Sequence, residues 1–275
     1  MVAALAVTVS AFAHGAGATP TEPADPSAVA VRGQRTQVAP IALGPPAGGC
    51  LVGTVSRVAS AIDPARRWQV GTVSSSWKAS FRAESGSKGP VAVVGDSLTL
   101  SSMEETMRYL VDAGYGPVCI DGGVARRMEV GTGGSVSSAV EVIARIKASD
   151  PVWQMPTVRW VLAIGTNDAR PNNTSTFAAT IQKGRTAVGT SYHPLLWIDL
   201  RTRREEIGAG WDAIEDQWNA ALVAPRTVVI RWAAEVAPSP ESYIIGTPDW
   251  THLTTGGQYL RGQLTLQALI ALPMI

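Results

Sequence analysis

The chain has 275 residues, 45% of them hydrophobic, with 23 basic and 22 acidic residues and a formal net charge of +1. That composition is globular and excludes global disorder, while the balanced charge removes the electrostatic case for a nucleic-acid partner. Three histidines and two isolated cysteines do not make a zinc site, so neither a metal nor a cofactor is expected.

Residues 1–19 open with MVAALAVTVSAFAHGAGA and read as a signal-peptide-like segment. Ala3 to Ala13 is apolar, too short to span a bilayer, and small residues follow as a cleavage site needs. No basic residue precedes the apolar stretch, as expected if translation begins a few codons further upstream. Residues 20–49, rich in Ala, Pro, Gly and Thr, read as a disordered linker. Either a tether that reaches through a cell envelope or a leader without function fits them. The expected location is secreted or cell-envelope associated. No later segment stays apolar for the ~18 residues of a membrane span, so no transmembrane helix is expected.

Residues 50–275 are expected to form one domain. Cys50 stands at its start and Cys119 inside a predicted strand. In an exported protein the two are candidates to pair, which by loop-closure entropy is worth about 4 kcal/mol; a buried free thiol at Cys119 is the alternative. Residues 50–90 carry Trp68, Val70, Val73, Trp77 and Phe81, and are expected to add a helix and an edge strand or hairpin to the same core. From Val91 onward strand and helix patterns alternate. Strands are predicted at 91–94, 117–120, 158–164, 195–200 and 227–232, and helices at 101–111, 135–148, 175–188, 210–223 and 255–272. Such alternation implies right-handed crossovers and a mainly parallel sheet with helices on both faces. The chain's nine tryptophans suit either a core or an amphipathic binding face.

The first strand ends in a peculiar way: VAVVGDSLTLS at 91–101 runs from apolar residues straight into Gly95, Asp96 and Ser97. Ser97 is expected in the turn at the carboxyl end of a central strand, where open α/β sheets bind ligands. A helix-capping serine is the other reading of that position. Three further stretches fall at strand ends or before the last helix: Asp121-Gly-Gly-Val-Ala-Arg126, Gly165-Thr-Asn167-Asp168, and Asp249-Trp-Thr-His252-Leu-Thr. An acid and a histidine three residues apart fit on one short turn, where the acid accepts from one ring nitrogen and the other faces a serine.

Together Gly95-Asp96-Ser97-Leu98, Gly165-x-Asn167-Asp168 and Asp249-x-x-His252 resemble the SGNH/GDSL hydrolase family over roughly Val91 to Ala271. The resemblance implies a flavodoxin-like three-layer α/β/α sandwich around a mainly parallel five-stranded sheet. It implies Ser97 as nucleophile, His252 as base and Asp249 as its orienter. Ser97 (backbone N–H) and Asn167 (side-chain amide) would donate to the oxyanion. The second block departs from the family pattern, which has a glycine donor where this chain carries Arg126. An Asp-x-x-x-x-Arg version resembles the SGNH domains of peptidoglycan O-acetyltransferases. The Arg126 backbone N–H can still donate, and its guanidinium is a candidate contact for an acidic or carbohydrate substrate.

The activity implied is that of an exported serine esterase on O-acyl esters, with a small-molecule, glycan or lipid ester as substrate. An O-acyltransferase of the same type is the first alternative, and a non-catalytic glycan-binding module the second. Asp96 reads as structural, and His14 and His193 as incidental. Arg201, Arg203 and Arg204 read as a solvated charge run or as lining of the cleft.

Overall fold

The structure, a computed structural model, describes residues 69–72, 78–83, 86–130 and 137–273. The signal-like segment, the linker, Cys50 and the helix expected before Val91 lie outside the described residues, as do the side chains before Arg82.

Seven strands form one sheet among the described residues: β1 Gln69–Thr72, β2 Lys78–Ala83, β3 Val91–Gly95, β4 Val118–Gly123, β5 Arg159–Ala163, β6 Leu195–Ile198 and β7 Thr227–Ile230. Their order is β1-β2-β4-β3-β5-β6-β7. The five strands β3 to β7 are mutually parallel, in the flavodoxin-like order that the alternating pattern implied. The sheet is wider than five strands because β1 and β2 form an antiparallel hairpin on the edge of β4. β2 covers backbone groups that would otherwise be an exposed edge, and β3 becomes the middle strand.

The helices are α1 Ser97–Asp112, α2 Ala139–Ser149, α3 Phe177–Val188, α4 Trp211–Leu222, α5 Trp232–Val236, α6 Pro240–Tyr243 and α7 Thr255–Ile270. α2 starts four residues later than the periodicity suggests because of a capping box. The Ser138 hydroxyl accepts from the Glu141 N–H, and the Glu141 carboxylate accepts from the Ser138 N–H. β6 stops short of Leu200 because the Asn219 side-chain amide takes over: Leu200 N donates to its Oδ1 at 2.7 Å, and its Nδ2 donates to Leu200 O at 2.8 Å. β7 gives way to α5, whose first turn is held by Asp199 accepting from the Ala233 N–H at 2.7 Å.

The pleat of β3 sends alternate residues to opposite faces. Ala92 and Val94 join one cluster with α2, α3 and α4 residues such as Ile143, Ile181 and Trp218. Val91 and Val93 join the other with Met103, Met107 and Leu110 of α1 and Leu269 of α7. A strand buried on both faces reads as a continuous apolar run, which is why Val91–Val94 does not alternate; each buried valine contributes about 1.5–3 kcal/mol. Trp153, Trp197, Trp218 and Trp232 are fully buried, so these four tryptophans fill the core. α1 and α7 meet at Gly262, where a Cβ would lie 2.9 Å from the Tyr109 ring and 3.1 Å from the Thr106 nitrogen. No helix among the described residues is long and apolar enough to cross a membrane.

Candidate active site

Gly95 ends β3 because nothing larger fits. A Cβ there would lie 1.8 Å from Thr99 Oγ1 and 3.0 Å from Ala163 O, so the strand can turn directly into α1. The helix begins earlier than the apolar spacing suggests, with Ser97 as its first residue and Asp96 as its N-cap, accepting from the Leu98 N–H at 3.0 Å. Asp96, not Ser97, therefore caps the helix, and the serine is left free of that duty. Ser97 is 8% exposed, and its N–H has no acceptor among the described residues. That N–H points out of the positive end of a 16-residue helix, a position that favours developing negative charge. Burial pushes the Asp96 carboxyl up, opposed by Arg261, the Leu98 N–H, the Thr166 hydroxyl and Arg126.

The Asp249–His252 turn follows a cis Thr247–Pro248 peptide. Asp249 Oδ1 accepts from the backbone N–H groups of Thr251 at 3.1 Å and His252 at 2.9 Å. Its two oxygens lie 2.8 and 2.6 Å from His252 Nδ1. Partial burial pushes the Asp249 carboxyl up, but the His252 N–H, the His252 ring and the Thr251 N–H together hold it below the usual carboxylate range. An ionised Asp249 fixes the proton on Nδ1 and leaves Nε2 as the basic nitrogen. The His252 side chain is 41% exposed, and Nε2 has no hydrogen-bond partner among the described residues. Ser97 and His252 are not hydrogen-bonded to each other; such bonds are often long in unliganded enzymes and tighten around substrate.

Asn167 follows β5. Gly165 takes φ +141, and a Cβ on it would fall 2.5 Å from the Trp218 ring. Trp218 packs edge-on against Phe177 and Trp197, and Trp197 Nε1 donates to Ile164 O at 2.9 Å. This aromatic floor supports the loop from below. The Asn167 amide nitrogen donates to Arg126 O at 3.2 Å, which uses one of its two hydrogens. Asp168 accepts from the Met128 N–H with both oxygens, at 3.3 and 3.1 Å, so the second and third sequence blocks are pinned together. Burial pushes Asp168 up to about 7, opposed by the Met128 N–H and Arg127.

The Arg126 guanidinium does not turn toward the cleft as its sequence position suggested. Its side chain is 1% exposed and bridges the sheet edge. Nε donates to Ser137 O at 3.0 Å, Nη1 to Gly95 O at 2.8 Å and Asp121 O at 3.0 Å, and Nη2 to Asp121 Oδ1 at 2.6 Å. All its reach is spent inside the protein, so the guanidinium is not a substrate contact. Its backbone N–H donates to Gly123 O at 3.3 Å within the turn. Cys119 is buried in β4 and is in the disulfide form, not a free thiol; its expected partner, Cys50, lies outside the described residues. Among the described residues no cluster of three or more His, Cys, Asp or Glu could hold a metal ion.

Ser97 and Asn167 thus follow the carboxyl ends of β3 and β5, and the Asp249–His252 turn is tied to the loop that follows β6. The five parallel strands in flavodoxin-like order, with helices on both faces, are the architecture that the motifs led us to expect. No family profile matches the chain, and no curated protein does. Among solved structures, the chain is similar to the peptidoglycan O-acetyltransferase A C-terminal catalytic domain of Streptococcus pneumoniae: 16% identity, 67% of this chain and 96% of that one, TM-score 0.49. It is similar to a lipase/acylhydrolase from Enterococcus faecalis: 14% identity, 68% and 98% coverage, TM-score 0.49. The periplasmic domain of a lipopolysaccharide acetyltransferase from Salmonella ser. Paratyphi A matches at 14% identity, 67% and 85% coverage, TM-score 0.38.

The arginines after β6, read from the sequence as a solvated run or as cleft lining, have specific partners in the fold. Arg204 donates through Nε to Thr251 Oγ1 at 3.2 Å and through Nη1 to Thr166 O at 3.0 Å, and Arg203 donates its backbone N–H to Trp250 O at 2.9 Å. They are neither a solvated run nor a bare cleft lining. The signal available was their place immediately beyond a strand's carboxyl end.

Proposed function

We propose that the protein is an exported serine esterase that cleaves O-acyl esters of a cell-envelope glycan or lipid through an acyl-serine intermediate. The observation that carries the reading is the doubly held His252: both Asp249 oxygens lie within 2.8 Å of Nδ1, and Nε2 is left free. A histidine placed only to cap or to pack has no need of that arrangement. The signal-like residues 1–19 and the linker-like residues 20–49 support export.

In this mechanism His252 Nε2 removes the proton from Ser97 Oγ as the oxygen attacks the ester carbonyl. A serine hydroxyl is a poor nucleophile without such a base. The tetrahedral oxyanion takes hydrogen bonds from the Ser97 N–H and from the second Asn167 amide hydrogen. The Arg126 N–H joins them on leaving Gly123 O. His252 then gives its proton to the departing alkoxide, and Ser97 is left acylated. Water, activated by the same nitrogen, releases the acid.

The test is to give the full chain p-nitrophenyl acetate with and without a sugar acceptor, and to separate the products. Free acetate alone identifies an esterase, and acetylated sugar identifies an O-acyltransferase. Ser97→Ala should remove nearly all turnover with the fold intact, and an organophosphonate should add mass at Ser97. Full activity in Ser97→Ala, or labelling elsewhere, would overturn the reading.

A further inference from the structure

We propose that Arg204 is a positioning residue that clamps the loop carrying Asn167 to the turn carrying His252. The proposal rests on the acyl-transfer reading given above. Thr166 immediately precedes Asn167, and Thr251 immediately precedes His252. The Arg204 guanidinium bonds to both, at 3.0 Å to Thr166 O and 3.2 Å to Thr251 Oγ1. Among the described residues no direct hydrogen bond joins these two segments. The rigid, planar fork of arginine can hold two acceptors in a fixed relation, which a lysine ammonium cannot. One side chain therefore sets the spacing between an oxyanion donor and the general base.

The clamp is itself anchored. The Arg204 guanidinium stacks on the Trp211 ring with its carbon 5.0 Å from the centroid. Its backbone N–H donates to Thr202 Oγ1 at 3.3 Å. Thr202 is tied to buried Glu215 of α4 twice, through its N–H at 2.9 Å and its hydroxyl at 2.6 Å. The neighbouring Arg203 braces the same turn: its backbone holds Trp250 O and its guanidinium carbon lies 5.4 Å from the Trp250 ring centroid. Trp250 has φ +61, a left-handed conformation that a bulky residue keeps only when its surroundings enforce it. Burial lowers the affinity of the Arg204 guanidinium for a proton, opposed first by Glu215 and then by Asp96 and Asp249.

Loss of the clamp should loosen the geometry of the transition state without removing substrate contacts. A misplacement of about 1 Å at a reacting centre costs on the order of 100-fold. Arg204→Ala in the full chain should therefore lower kcat about 10- to 100-fold and leave KM nearly unchanged, the signature of an interaction made mainly in the transition state. Millimolar guanidinium should restore part of the loss in Arg204→Ala and none in Ser97→Ala. Thr251→Val keeps the side-chain volume and removes only the acceptor. It should lower kcat by about 10-fold, and the two substitutions combined should cost less than the product of their separate effects. If Arg204→Ala does not fold, Thr251→Val decides by itself. A kcat within about twofold of wild type in the folded variants would overturn the proposal. So would a loss that vanishes on cooling well below the melting temperature, because a merely structural residue behaves that way. A wild type that neither cleaves esters nor labels at Ser97 sinks the esterase reading and the clamp together; an active wild type with unimpaired variants sinks the clamp alone.

Discussion

Asp168 is held in the folded protein under conditions that a carboxylate resists. Burial raises it from 3.8 to about 7, although the Met128 N–H donates to both its oxygens. That shift of about 3 units, at 1.36 kcal/mol each, amounts to about 4 kcal/mol. Its sign follows from proton binding. Between about pH 4 and pH 7 the folded state holds a proton on Asp168 that the unfolded state has released, so stability falls as pH rises through that window. The contribution is absent below the unfolded value and reaches its full cost above the folded one. Asp168→Asn keeps an oxygen for the Met128 N–H and cannot ionise. Urea denaturation of the wild type and this variant at pH 5 and pH 8 isolates the effect, since other titrating groups are common to both. The variant should gain about 2–3 kcal/mol on the wild type between the two pH values. A stability difference that is the same at both, or one that moves toward the wild type as pH rises, would refute the reasoning.

Asn167→Ala should reduce kcat on p-nitrophenyl acetate about 100- to 1000-fold with a much smaller change in KM, because the amide's contact strengthens as charge develops on the oxygen; steady-state kinetics measure it. Arg126→Leu strips the guanidinium from buried Asp121, and should cost about 3–5 kcal/mol in denaturant unfolding rather than alter substrate preference in an intact enzyme. Gly165→Ala sets a methyl group against the Trp218 ring in a backbone conformation that alanine disfavours. It should lower the melting temperature and depress kcat by displacing Asn167, as calorimetry and kinetics on the same sample would show.

The parts of the fold that depend on local pattern were legible in the sequence. The apolar run Val91–Val94 announced a strand buried on both faces, and the alternation after it announced the parallel sheet. The hairpin that widens the sheet was anticipated only as an edge element, because strand pairing is a long-range event that period-2 patterning does not specify. Helix and strand ends were misjudged where side chains decide them. Asp96 draws the start of α1 back to Ser97, and Asn219 ends β6 by bonding to Leu200. In the candidate site, the places of Ser97 after β3 and Asn167 after β5, and the Asp249–His252 pairing, were legible because short motifs carry them. The directions of the Arg126 and Arg204 side chains were not, since a guanidinium gives no sign in sequence of whether it turns outward or reaches across the fold. Arg126 spends its hydrogen bonds on Gly95, Asp121 and Ser137, and Arg204 finds acceptors at Thr166 and Thr251, positions far from it in the chain. His193 read as incidental, and it is a buried ring whose proton affinity is lowered by burial and by Arg159.

The close contact of α1 with α7 at Gly262 has a consequence for the order of events in the life of the chain. Ser97 opens the first helix of the sheet domain, and His252 lies just before the last. Synthesis runs from the first to the second, so a nascent chain can finish β3 to β7 and still lack the Asp249–His252 turn. Under the proposed mechanism, the packing of α7 on α1 helps to place the His252 turn that directly precedes α7. Under the proposed mechanism an unfinished or C-terminally clipped chain carries Ser97 without its base, and the appearance of ester cleavage in a refolding experiment would report the arrival of the last helix.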